Sequence, residues 1–558
     1  MLRTKLLFYF FLLCFFAVFA KLFLIMAVEP HKYATDYLQS RRVYPARGKI
    51  FDRNGEPLAV NQTKYVLFVE PNVLADKRQV VEKLESVLKV GEATLDAKID
   101  TTKTWVAVQR GVPKDVRDRI LALDLHGVGF DEEPNRFYPE SSLSAHLLGF
   151  VGKDENGENV GVYGVEGFYE KELVGLPGYI KSERDVMGKP IFVGTQERVE
   201  AEDGRDLILT LDKSVQNIVK TKLVKAVEQF EAAQACAIVA DPKTMEILAM
   251  GCVPDFDPIA YYEASPEAYV NTTISGLYEP GSTFKPLIMA AAMEEKVLKP
   301  LDTMEEDGPV EISGFKIQNW NKKYAGRISM SNILEKSSNI GMVYIGGKLG
   351  DDLLYDYLNR YGFGQPTGID LQGEAGGNLR QRTEWYPIDY ATASFGQGIA
   401  VTQLQLVRAF SSLVNGGYLM RPYVVKEVRQ GDRVRTREPK IERRILSEHT
   451  SEVMKKMLQS SVDRAEMKFT FPKEYKIGGK TGTAQVAVQG QYDASKTIAS
   501  FIGFAPVEDP KFVSLVVVKE PKTSQWGSET AAPVFFEIAK ELFVYYNIVP
   551  GQPSPSGE

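Results

Sequence analysis

The chain opens on an almost unbroken apolar run, residues 6–28, interrupted only by Lys21. At about 1.5 Å per residue, the run is long enough to cross a hydrocarbon core of about 30 Å. Lys21 falls near its outer end, where a lysine stem snorkels. Arg3 and Lys5 precede the run and predict a cytoplasmic N-terminus, although Arg41, Arg42 and Arg47 follow on the far side and reduce the bias. The competing reading is a cleaved signal peptide with Val18-Phe19-Ala20 at the cleavage site. Leu22-Phe23-Leu24-Ile25-Met26-Ala27 continues the run past that site and favours an anchor. Either reading exports the rest of the chain.

Beyond the anchor the pattern turns globular. Tyr65-Val66-Leu67-Phe68-Val69 is continuous rather than alternating and predicts a buried strand, while Val81, Leu84, Val87 and Leu88 recur at helical spacing. Glycine and proline cluster within 152–167 and 175–188 and predict tight turns. The pattern changes near Asp203-Gly204-Arg205. A strand follows at 206–211, an amphipathic helix at 215–230, and a hairpin of 235–240 with 246–251 turning at Asp241-Pro242-Lys243-Thr244. Further strands at 499–504 and 513–518 predict a mixed sheet packed by helices. No solenoid-length repeat is visible. The pattern divides the chain into a stub (1–5), an anchor (6–28), an N-terminal domain (29–204), a larger domain (205–546) and a polar tail (547–558) expected to be disordered.

Composition narrows the possibilities. A chain of 558 residues holds two or three domains. A net charge of −6 argues against a general nucleic-acid binder, which needs a basic surface. His31, His126, His146 and His449 are scattered and no C-x-x-C pair occurs, so no structural zinc site is expected. Cys236 and Cys252 flank the predicted hairpin, and a one-residue change of register decides whether they share a face. Both a disulfide and two small buried hydrophobes are open, with the second favoured.

Three short motifs carry candidate chemistry. Gly281-Ser282-Thr283-Phe284-Lys285-Pro286 contains S-x-x-K; if a helix starts near Ser282, the serine and lysine lie on one face and the amine reaches the hydroxyl to accept its proton. The lysine must then be neutral part of the time, which burial and a nearby cation favour. Alone the motif is weak, since chance supplies roughly two in a chain this long and an exposed helical turn explains it. Ser337-Ser338-Asn339 is S-x-N and by itself reads equally well as a helix cap. Lys480-Thr481-Gly482-Thr483 on a strand edge offers a cation for a carboxylate, flanking hydroxyls and a glycine that allows close approach. Its bland alternative is a polar hairpin segment. Together, in this order and separated by 55 and 143 residues, the three form a serine acyltransferase signature.

Read with these motifs, nearly the whole chain resembles a class B penicillin-binding protein. Arg47-Gly48-Lys49-Ile50-Phe51-Asp52-Arg53-Asn54-Gly55 resembles that family's juxtamembrane segment. Gly161, Gly164-Val165-Glu166 and Leu173-Val174-Gly175 resemble its pedestal motif, and Ser394-Phe395-Gly396-Gln397-Gly398 is similar to another family segment. Arg47, Asp52, Arg53 and Glu166 are expected to be structural. Ser337-Ser338-Asn339 followed by Gly362-Phe363-Gly364-Gln365-Pro366-Thr367-Gly368 is similar to the division-type, FtsI-like branch.

The resemblance implies an α+β fold: a mainly antiparallel sheet covered by helices, with a helical subdomain. An α/β pedestal (dimerisation-like) domain and one transmembrane helix come before it. It implies that Ser282 attacks the penultimate D-Ala carbonyl of a stem peptide ending in D-Ala-D-Ala, with Lys285 as base. Ser337 would pass the proton to the departing D-Ala, and Asn339 would hold Lys285 and the peptide amide. Lys480, Thr481, Gly482 and Thr483 would receive the terminal carboxylate, and the backbone N–H groups of Ser282 and Thr483 would form the oxyanion hole. An acceptor amine then resolves the acyl-enzyme, and β-lactams trap it. The implied partners are nascent peptidoglycan, a lipid-linked glycan polymerase, division-complex membrane proteins and the membrane itself, with no metal or organic cofactor. Rival readings are a DD-carboxypeptidase, a β-lactamase-like hydrolase and an inactive β-lactam sensor or scaffold. A bifunctional glycosyltransferase is disfavoured because no E-D-x-x-F-x-x-H-type segment precedes residue 205.

Overall fold

The computed structural model describes residues 2–28, 38–155, 157–183, 196–464, 475–488 and 491–550. Residues 29–37 of the N-terminal domain, part of the turn cluster within 175–188, and the expected disordered tail from 551 onward lie outside them. The described chain gathers into two compact units: residues 1–48 with 174–205, and residues 49–173 with 206–558.

In the first unit, helix Leu2–Phe23 and the π-helical turn Leu24–Val28 carry the apolar run; the stretch Arg3–Met26, with a mean hydropathy of 2.5, is long and apolar enough to cross a membrane. The same unit holds a three-stranded antiparallel sheet in which Gly178–Glu183 lies between Leu38–Val43 and Gln196–Val199.

The second unit is built on a five-stranded antiparallel sheet in the order Ile247–Val253, Gln234–Ala240, Phe512–Lys519, Gln491–Ala505, Gly478–Val488. Gln234–Ala240, Phe512–Lys519 and the second half of Gln491–Ala505 are largely apolar because both faces are covered. Phe501, Val516 and Val518 face helices Lys213–Phe230 and Ala531–Tyr545, whereas Ile502, Phe504 and Leu515 face the core that contains Leu287 and Ile288. That second core includes helix Lys285–Glu294, buried on every side up to Met293, as expected of a helix without a polar face. Five helices between Met330 and Ser411 form the helical subdomain. A seven-stranded sheet joins Ile50–Phe51 and Pro57–Val69 to Asp206–Leu209 and Val425–Gln430.

Of the residues expected to be structural, Asp52, Arg53 and Glu166 are tied into this frame. Asp52 is fully buried and accepts the N–H groups of Asn54 (2.8 Å), Glu56 (2.8 Å) and Lys213 (3.1 Å). Arg53 pairs with Glu246 at 3.1 Å, and buried Glu166 accepts from Arg136 at 2.7 Å. The favoured reading of the cysteines changes: the register sets Cys236 opposite Cys252, and the two form a disulfide. Both are also buried, so the two readings differed only in a register that the sequence leaves open.

Buried His146 carries a pH dependence. Its Nε2 hydrogen goes to the Ala268 carbonyl at 3.0 Å, and its Nδ1 receives the Cys252 N–H at 3.5 Å, an arrangement for the neutral ring. Burial lowers its pKa, with Asp255 opposing and Lys220 adding to the shift. Above the ordinary imidazole value of about 6.5 the residue costs nothing. Below it the unfolded chain takes up a proton first, and stability falls by up to about 1.4 kcal/mol per pH unit until the folded value is passed. The thermal midpoint of His146→Asn is therefore expected to drop less between about pH 7.5 and 5.5 than that of the wild type. Equal drops in the two proteins would remove His146 from the account.

Candidate active site

Ser282 sits in a 3-10 turn, Gly281–Thr283, that leads directly into helix Lys285–Glu294. The helix therefore begins three residues later than a start at Ser282, with Pro286 in its first turn, where the missing N–H costs no helical bond. The turn is held from both sides. The Gly281 N–H donates to the Gly396 carbonyl at 2.9 Å, and a Cβ on Gly396 would lie 2.2 Å from the Gly281 oxygen. The Gly398 N–H donates to Glu279 at 3.1 Å. The segment from Ser394 to Gly398 is thus a backing for the Ser282 turn. On the other side, a Cβ on Gly482 would meet Thr283 Cγ2 at 2.8 Å, so only glycine lets the Lys480 strand approach the turn this closely. Ser282 itself remains half-buried.

Lys285 is fully buried. Its Nζ donates to Asn339 Oδ1 and to the Ser337 carbonyl, both at 2.7 Å, and to Ser337 Oγ at 3.3 Å. These three acceptors use all three ammonium hydrogens and bring the first two motifs together across 52 to 54 residues of chain. Burial, reinforced by the positive charge of Lys480, holds the Lys285 pKa well below the usual lysine range; Glu306 pulls it back up. The geometry of S-x-N follows from its backbone. Ser337 has φ +55°, and Ser338 caps helix Asn339–Leu349 by accepting the Gly341 N–H at 2.8 Å. Asn339 therefore starts that helix, and its amide donates to the Gln318 carbonyl at 3.0 Å.

The third motif occupies the edge strand Gly478–Val488. Lys480 is buried, and its Nζ donates to the carbonyl (3.1 Å) and hydroxyl (3.2 Å) of Thr481. Burial lowers its pKa to about 7, and an anionic group beside it would raise it again. Thr483 Oγ1 accepts the Gly527 N–H at 3.1 Å, which ties the loop after the Phe512–Lys519 strand to this edge. Trp526 on that loop meets Trp320 edge-to-face at 5.0 Å. No cluster of potential metal ligands occurs among the described residues.

All three motifs meet around Lys285, and the arrangement can deprotonate a serine and hold a carboxylate. Sequence reasoning missed the buried pair behind it, Glu306 and Asn319, and the exposed Trp320 that meets Trp526. The Met304-Glu305-Glu306-Asp307 run reads as a solvated charge cluster. Its one signal was that Met304 and Glu306 share a strand face, so an inward Met304 brings Glu306 inward with it.

Known proteins share this organisation. Residues 235–540 match the family described as "Penicillin binding protein transpeptidase domain", and residues 42–209 match "Penicillin-binding Protein dimerisation domain". The chain is 36% identical to Stage V sporulation protein D of Bacillus subtilis (strain 168), over 91% of this chain and 79% of that one. It is 30% identical to the peptidoglycan D,D-transpeptidase FtsI of Escherichia coli (strain K12), over 92% and 86%. Among solved structures, Penicillin Binding Protein 2X from Streptococcus thermophilus superposes with a TM-score of 0.76 at 25% identity, over 91% of this chain and 81% of that one. A peptidoglycan synthetase from Bifidobacterium adolescentis gives 0.75 at 27% identity, over 93% and 98%.

Proposed function

The chain belongs to the class B penicillin-binding proteins, as a peptidoglycan D,D-transpeptidase, and on that premise we propose that it joins stem peptides through an acyl-enzyme on Ser282 in septal wall synthesis. The observation that carries the site assignment is the Lys285 amine: fully buried, held by Ser337 and Asn339, shifted toward its neutral form, and three residues beyond Ser282. Ser282 Oγ bonds to the penultimate D-Ala carbonyl carbon as Lys285 takes its proton, and the carbonyl oxygen becomes an oxyanion received by the Ser282 and Thr483 N–H groups. Collapse breaks the peptide bond. The proton passes from Lys285 through the Ser337 hydroxyl to the departing D-Ala nitrogen. An acceptor amine then attacks the ester, loses its proton along the same path and returns Ser282 to its hydroxyl form. Lys480 with Thr481 and Thr483, on either side of Gly482, receives the donor carboxylate. β-Lactams enter the same chemistry and remain attached.

The apolar helix fits a membrane anchor. In this reading the N-terminus is cytoplasmic, the catalytic domain faces outward, and the working partners are a lipid-linked glycan polymerase and division-complex membrane proteins. A second reading, a role in sporulation, is favoured by the 36% identity to Stage V sporulation protein D. Deletion in the source organism separates the two: filamentation supports division, and normal growth with arrested sporulation supports the second.

The reaction itself is tested with full-length protein in detergent, glycan strands carrying pentapeptide donors, and an amine acceptor. Cross-linked product together with free D-Ala is expected. Free D-Ala with uncross-linked tetrapeptide would instead identify a carboxypeptidase.

A further inference from the structure

Glu306 is a buried carboxylate beneath the site, and the mechanism assigns it no task. It ends the strand Thr303–Glu306 opposite Gly326. Its Oε1 accepts from the Ser338 hydroxyl and from the Asn319 amide at 3.1 Å, and its Oε2 accepts the Ala325 N–H at 2.9 Å. Both side-chain partners lead onward to the S-x-N turn. Asn319 Oδ1 accepts the N–H groups of Asn339 (2.9 Å) and Ile340 (3.3 Å), while Ser338 caps the helix that Asn339 begins. Asn339 in turn receives the Lys285 ammonium at 2.7 Å. Stability alone is a weak reason to keep a charge here, because apolar side chains of similar volume often serve a core equally well.

We propose that Glu306 is the positioning residue for Lys285: through Ser338 and Asn319 it fixes the turn that presents Asn339 and Ser337 to the lysine amine. The inference rests on the reading of Ser282 and Lys285 as nucleophile and base. A group that takes a proton from Ser282 and returns it to the leaving amine must exist in both forms near the working pH. Burial and Lys480 both drive the proton off Lys285, and Glu306 opposes them. The carboxylate therefore has two effects on one amine: it fixes the amine's place, and it keeps its proton exchangeable.

The test follows covalent labelling of the full-length protein in detergent by a fluorescent penicillin, as a rate across about pH 5.5 to 9.5. In Glu306→Gln the rising limb of the profile is expected to move about one unit toward lower pH, because the opposing charge is gone. The plateau is expected to fall about tenfold as the turn loosens. Adding Asn319→Asp to that variant returns a carboxylate to the same network and is expected to move the limb back. If Glu306→Gln does not fold, Ser338→Ala carries the test: the charge stays and one link is cut, so the plateau falls several-fold with the limb in place. A folded Glu306→Gln whose limb coincides with that of the wild type, or a Ser338→Ala that labels at the wild-type rate, overturns the proposal. In either case, wild-type labelling lost in Ser282→Ala leaves the site reading intact. Labelling that persists in Ser282→Ala overturns both.

Discussion

Ser282→Ala is expected to show no covalent adduct with a fluorescent penicillin over hours, in a protein whose thermal midpoint matches the wild type. The substitution removes only the hydroxyl of a half-buried residue in a turn held by backbone bonds from Gly281 and by packing against Gly396 and Gly482. The fold should therefore not register the loss, whereas acylation loses the hydroxyl proposed to attack; the Ser337 hydroxyl, 3.3 Å from the Lys285 amine, is assigned to proton transfer and is not expected to replace it. A drop of at least about a thousandfold is the scale for removing a nucleophile that acts as one unit with its base. Intact mass spectrometry reads the result directly. In the wild type, an adduct that persists supports the transpeptidase reading, and one that is released within minutes supports a β-lactamase-like hydrolase. An adduct of unchanged yield in Ser282→Ala would place the nucleophile elsewhere and dismantle the site assignment.

Lys285→Met is expected to slow acylation by about a hundred- to ten-thousandfold, the usual contribution of a positioned general base. Methionine fills nearly the same volume within a helix that is buried on every side. Two effects on stability oppose each other. The Asn339 and Ser337 oxygens lose their shared donor, at about 1–3 kcal/mol for each acceptor left without a bond. Against this, the wild type holds a lysine whose folded pKa lies well below its unfolded value. That difference destabilises the folded state increasingly as pH falls below the unfolded value and in full below the folded one, and methionine removes the penalty. A thermal midpoint within about 5 °C of the wild type is the expected balance. Full-rate acylation in a folded Lys285→Met would show that the proton goes elsewhere. The pH dependence has a definite sign: wild-type acylation rises with pH as Lys285 loses its proton, and Lys285→Met should lose that rising limb.

Much of this was legible in the sequence, and the reasons are local. A candidate membrane span needs only a long apolar run, and the chain has one at residues 6–28. The continuous apolar segments near 499–504 and 513–518 become central strands because a sheet covered on both faces has no polar side to reveal. Helix Lys213–Phe230 and the hairpin were visible for the same kind of reason. The hairpin's register was not, since a shift of one residue changes none of the local preferences. It decides, however, whether Cys236 faces Cys252.

At the site, the sequence by itself determined the candidate groups and their order: Ser282 with Lys285, then Ser337 and Asn339, then Lys480 to Thr483. These are identities and spacings, and a chain carries them whether or not it is folded. Tertiary structure decided what the groups are able to do. Lys285 is able to serve as the proposed base because the fold buries it beside Lys480 and between acceptors more than 50 residues away. Glu306 lies within a charged run that reads as solvated, and it becomes the buried acceptor for Ser338 and Asn319 only once two strands pair and a loop closes over it. Burial and proximity lower the pKa of Lys285, and burial that of Lys480; both depend on contacts between distant segments that no local pattern encodes.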